Sequence, residues 1–97
     1  MKAMTTIFIG GTFPTGRVVR TQGVIAEVPE DEALKGLLRH ISGDWGDLDE
    51  QDWKVNDTAR TCGFRLLSRY VSPSGTAFWI ITEHDRSVTT ILLPEEY

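Results

Sequence analysis

Ninety-seven residues, 40% of them hydrophobic and 25% charged, allow one small core, so residues 1–97 read as a single domain. That composition excludes a disordered or fibrous chain, and a lone cysteine, Cys62, excludes a disulfide framework and a cysteine-rich zinc site. The net charge of −4 is unevenly spread: Lys2, Arg17 and Arg20 give residues 1–26 a charge of +3, ten acids against three bases give residues 27–57 a charge of −7, and residues 58–97 balance at four each. A negative middle third is repelled by nucleic acid and attracted to basic surfaces.

The first residues, "MKAMTTIFIGG", have one lysine and an apolar run of three, too little for a signal peptide. No segment approaches the roughly 20 apolar residues of a membrane span. The expectation is a soluble protein without membrane contact, in the cytoplasm of its host. "TTIFI" (5–9) and "RVVRT" (17–21) are β-branched and predict short strands, with "GGTFPTG" as the connector. "VIAEV" after Gly23 fits either a short helix or a continuing strand.

"PEDEALKGLLRHI" (29–41) predicts a helix with proline at its first position and three acids in its first turn, where the helix dipole favours them. Its apolar stripe is read as Leu34, Leu37, Leu38 and Ile41. Asp49 then caps a second helix over 50–62, closed by Gly63, with Glu50, Lys54, Asp57 and Arg60 assigned to its exposed side. The last third predicts three strands, 65–72, 77–83 and 87–94, separated at hairpin distances by "PSG" and "HDR". The expected fold class is α+β: an antiparallel meander of three to four strands packed on two or three helices. Trp79, Leu66, Phe78, Ile81, Ile91 and Leu92 are the predicted core of that meander.

Between the helices, "HISGDWGDLDEQDW" (40–53) places five carboxylates and two tryptophans in fourteen positions. A calcium loop starting at Asp47 would need glycine at its sixth position and glutamate at its twelfth, and Asp52 and Thr58 stand there instead. Gly11 to Gly16 has phosphate-loop spacing. However, Arg17 and Val18 replace the lysine and hydroxyl, and Pro14 lacks a backbone donor, so a turn is predicted. A small hydrolase using His40 or His84 with a divalent cation is the alternative from the enzyme class, although no H-E-x-x-H spacing or nucleophile elbow supports it. His40 is placed at a helix end, where the dipole favours a cation. Trp45 and Trp53 are assigned to core packing beneath the loop.

What remains is the acidity. Asp44, Asp47, Asp49, Glu50 and Asp52, extended by Glu30, Asp31 and Glu32, form a display of carboxylates on predicted rigid structure. Acids three or four apart on a helix lie about 5–6 Å apart, a density comparable with the phosphates of a DNA strand.

"SGDWGD", "RLLSRY", "WIITE" and above all "DRSVTTILLPEEY" resemble a family of small accessory proteins encoded by plasmids, prophages and integrative elements, over about Leu37 to Tyr97. In size, acidity and setting the chain is also similar to anti-CRISPR proteins, including type I-F inhibitors that act as DNA mimics. The resemblance implies a non-enzymatic agent of host defence evasion, without cofactor or metal. It would occupy the basic DNA-binding groove of a CRISPR surveillance complex, bind no nucleic acid directly, and exclude target DNA. An antirestriction DNA mimic is the alternative in the same class. Before residue 30 the chain departs from that family, so the implied function concerns the residues after it.

Overall fold

The computed structural model describes residues 2–4 and 12–97. The strand predicted at 5–9 and the first two residues of its connector lie outside the described residues. In chain order the elements are β1 (Lys2–Met4), β2 (Arg17–Arg20), α1 (Gln22–Glu27), α2 (Glu30–Ile41), α3 (Glu50–Cys62), β3 (Leu66–Val71), β4 (Ala77–Thr82), β5 (Val88–Leu92) and a final 3₁₀ turn (Pro94–Glu96).

The fold is α+β: among the described residues, three helices pack with one sheet of order β1-β2-β5-β4-β3. The predicted meander is present as β3-β4-β5, paired antiparallel. The sheet extends beyond the meander, because β2, the strand predicted at 17–21, runs parallel beside β5 and β1 pairs antiparallel with β2. A parallel pair needs a long crossover, and everything from α1 to β4 lies between these two strands.

Alternation along the strands sends Val18, Leu66, Phe78, Ile80 and Ile91 into one core with Val24, Leu37, Ile41 and Trp45. Two local choices set how the helices sit. Thr21 caps α1, its hydroxyl accepting from the Val24 amide, which resolves the ambiguous "VIAEV" as helix. In α2 the buried residues are Ala33, Gly36, Leu37, His40 and Ile41, whereas Leu34 and Leu38 remain 39% and 46% exposed. The helix is therefore rotated from the predicted leucine stripe. A Cβ on Gly36 would stand 2.8 Å from the Phe78 ring, so glycine is what admits this close approach.

The opposite sheet face carries Trp79, which is only half-buried, contrary to its predicted core role. Its ring lies 5.1 Å beneath the Arg69 guanidinium and 5.5 Å from the Tyr97 ring.

β3 is an edge strand, and the connection to α3 closes that edge. The Asn56 amide donates to the Leu67 carbonyl at 2.5 Å and accepts from the Leu67 N–H at 3.2 Å. The Arg69 backbone N–H donates to the Trp45 carbonyl at 3.1 Å, and the Arg69 carbonyl accepts from the Asp47 N–H at 2.7 Å. Side chain and loop thus stand in for a sixth strand and leave little edge open to another chain.

Candidate carboxylate surface

The stretch "DWGD" is built as a clasp. Asp44 turns back onto Arg39, with Nε at 2.8 Å and Nη2 at 3.2 Å, and also accepts from the Gly46 amide at 3.1 Å. The Arg39 hydrogen bonds hold its carboxyl below the usual range. Trp45 then enters the core, fully buried, stacked 6.1 Å from Phe13, its indole N–H donating to Asp57 at 2.9 Å. Asp57 therefore faces inward rather than to the exposed side predicted for it. Gly46 takes a φ of +77°, and a Cβ there would run into the Arg69 carbonyl and stand 2.6 Å from the Tyr70 ring. The Tyr70 hydroxyl donates to the Asp44 carbonyl at 2.7 Å and completes the clasp.

This clasp delivers the chain to α3. Asp49 caps the helix as predicted, accepting from the Asp52 amide at 2.8 Å, and Gly63 ends it at a φ of +77°. Asp47, Asp49, Glu50 and Asp52 are all exposed. Glu50 pairs with Lys54 at 3.3 Å, whereas Asp47, Asp49 and Asp52 make no ion pair among the described residues.

The second acidic group begins α2. Glu30 lies 3.8 Å from Arg20, Glu32 accepts from Ser74 at 3.2 Å, and Asp31 is exposed. Of the eight predicted carboxylates, Asp44 alone is committed to a close two-toothed ion pair within the protein. The other seven divide between the starts of two helices.

His40 is not at the surface. Its ring is fully buried, edge-on to Phe13 at 5.3 Å and to Trp45 at 5.6 Å. Nδ1 lies 2.5 Å from Ser68 Oγ and Nε2 lies 2.8 Å from Thr82 Oγ1.

The hydrogen-bond chain assigns the protons. Thr89 donates to the Thr15 carbonyl at 2.8 Å, so at the 2.8 Å contact between the two threonines the hydrogen comes from Thr82. Thr82 must then accept from His40 Nε2–H, and Ser68 must donate to Nδ1. Burial, reinforced by the Arg86 charge, lowers the His40 pKa to about 3. The cation predicted at this helix end is replaced by a neutral ring, because desolvation outweighs the dipole. With both nitrogens engaged and no solvent access, His40 offers no position to a metal or a substrate.

His84 is exposed in the β4–β5 turn. Among the described residues no group of three or more His, Cys, Asp or Glu side chains is placed to hold a metal ion. No helix among them is long and apolar enough to cross a membrane.

No family model, no curated protein and no solved structure matches the chain.

Val55, in the middle of α3, and Phe64, just past its C-terminal end, are 61% and 62% exposed. The signal was available: Val55 shares the helical phase of Gln51 and Thr58, the polar side of α3, and it cannot reach the core from there.

Proposed function

We propose that the protein is a non-enzymatic inhibitor from a mobile genetic element, which occupies the basic DNA-binding groove of a CRISPR surveillance complex as a double-stranded DNA mimic. The observation that carries this reading is the start of α3. Asp47, Asp49 and Asp52 are exposed and free of ion pairs among the described residues, on backbone that Arg69 and the Asp44 clasp hold in place. Carboxylates carried on held backbone cost less main-chain freedom when they replace phosphates, and their field steers a basic groove toward them. Glu50 joins them, and Glu30, Asp31 and Glu32 extend the field from α2. The burial of His40 weighs against the hydrolase alternative.

The test is competition. The protein should bind a purified type I-F surveillance complex near one per site, weaken with rising salt, and compete with target DNA. The triple substitution Asp47→Asn, Asp49→Asn, Asp52→Asn should weaken inhibition strongly and leave the fold intact, since Asn caps a helix as well as Asp does. If the triple variant inhibits like the parent at matched concentration, the carboxylates are a solvated face and the proposal fails.

A further inference from the structure

Arg20 is a cation on the core side of the sheet. Alternation along β2 puts it on the helix-covered face with Val18, in register with Ile91 of β5, and it is only 6% exposed. A guanidinium taken out of water needs acceptors, because an uncompensated buried charge is costly. Yet its Nε has no hydrogen-bond partner. Its single ion pair among the described residues is with Glu30, which approaches Nη2 at 3.8 Å, beyond hydrogen-bond reach.

Arg39 shows the satisfied version of the same fork. Asp44 takes its Nε at 2.8 Å and its Nη2 at 3.2 Å. In Arg20 those two nitrogens are the ones left open, and their fixed planar spacing matches the two oxygens of one carboxylate.

Two hollows meet at Arg20 and Glu30. The inner one runs under α2, between Ala33, Leu34 and Leu37 above and Ile91 below, and its walls are apolar apart from those two charges. Its volume of about 40 Å³ has room for a tail of about two carbons, since one water needs about 10–15 Å³. The outer hollow passes beneath the end of α1, where Glu27 adds a second carboxylate. The rim thus carries one base, Arg20, against two acids, Glu27 and Glu30. Both glutamates are exposed and screened by water, whereas the guanidinium is buried, where its charge acts more strongly. That balance admits one negative charge, in the place Glu30 approaches, and opposes a second.

We propose that Arg20 anchors a site for a short-chain aliphatic monocarboxylate of the size of propionate. The carboxylate closes on Nε and Nη2 once the exposed Glu30 side chain swings aside, and the tail enters the crevice beneath α2. Glu30 is the resident competitor at the mouth. The site shares only Glu30 with the carboxylate surface and does not depend on the inhibitor reading.

The experiment titrates the parent with sodium propionate at pH 7 and constant ionic strength, followed by methyl and Arg Nε–H signals in NMR spectra. The methyls of Leu34, Leu37 and Ile91 and the Arg20 Nε–H should shift saturably, with a Kd on the order of 1 mM, within the ceiling for so small a ligand. Propionamide, of the same shape without the charge, should bind at least about 10-fold more weakly. Succinate, with a second carboxylate facing the rim acids, should bind no tighter than propionate. Arg20→Met should abolish saturation, and Glu30→Gln, which removes the competitor, should tighten propionate several-fold.

Shifts that stay linear in ligand concentration overturn the site and leave solvent as the partner of Arg20. Equal binding of propionamide overturns the carboxylate. A Glu30→Gln variant that binds propionate no better than the parent overturns the open fork as its seat. The ligand series on the parent and the exposed Glu30 substitution decide the matter even where Arg20→Met does not fold.

Discussion

His40 Nε2 donates to Thr82 Oγ1 at 2.8 Å across the core, joining α2 to β4 at a point sealed from solvent. Thr82 passes the bond on to Thr89 and so to β5. One neutral imidazole thus ties a helix to the middle of the sheet through a chain of buried hydroxyls, Ser68, Thr82 and Thr89.

The burial of that ring, reinforced by the Arg86 charge, makes stability depend on pH. The folded pKa of His40, about 3, lies below its ordinary 6.5, so between those values the unfolded chain binds a proton that the native state refuses. Stability is then complete above pH 6.5 and falls as pH drops toward 3, by about 1.4 kcal/mol per unit. Urea unfolding at pH 7 and at about pH 5, above most carboxylate titration, should show this slope. A His40→Gln variant, less stable at neutral pH, should lack it. An equal slope in that variant would assign the effect elsewhere. At lower pH the carboxylates add to the loss: Asp44, Asp85 and Glu96 are all held below their usual range by hydrogen bonds, from Arg39, Ser87 and Thr21 respectively.

Asn56 should matter through the edge it closes. Asn56→Ala leaves the Leu67 N–H and carbonyl without their partner and should cost about 1–3 kcal/mol, about 4–8 °C in melting temperature per kcal/mol. Asn56→Asp should not rescue it, because a carboxylate cannot donate to the Leu67 carbonyl. A thermal melt in which Asp restores the parental value would show that the amide fork is unimportant.

Gly46 and Gly75 both hold positive φ, +77° and +95°, but only Gly46 is enclosed. Gly75→Ala should cost about 1–2 kcal/mol, the backbone strain alone. Gly46→Ala should cost more, since its Cβ also displaces Arg69 or Tyr70. Equal losses in parallel melts would mean that the clasp yields freely around residue 46.

Asp44 and Asp52 should separate fold from binding. Asp44→Asn weakens a partly exposed ion pair worth about 1 kcal/mol or less and should inhibit almost like the parent. Asp52→Lys should barely change the melt, yet should impair inhibition more than Asp52→Asn, because it adds repulsion against a basic groove. If Asp44→Asn proves the more damaging to inhibition at an unchanged melt, the binding surface centres on the clasp rather than on α3.

Local chemistry alone made several elements legible. Three acids after Pro29, Asp49 before an amphipathic run, Gly63 after it, and β-branched alternation broken by "PSG" and "HDR" each act within a few residues. Their physics is contained in the chain's own neighbourhood, and the helices and hairpins they predict are present. The exposed carboxylates of α3 were legible for the same reason: a helix's first turn favours acids whatever the rest of the protein does.

What the tertiary structure decided concerns partners distant in sequence. The parallel pairing of β2 with β5 depends on how the crossover packs, which periodicity does not encode. The phase of α2 was set by the Phe78 ring, which accepts Gly36 and turns Leu34 and Leu38 outward. His40 became a neutral core residue because Ser68 and Thr82, 28 and 42 residues away, satisfy both ring nitrogens. Asp57 turned inward to meet an indole, and Val55 was left outside because Asn56 beside it was needed at the β3 edge. A helix has one circumference, and which arc of it faces the core is settled by the shape and hydrogen-bonding needs of what it packs against.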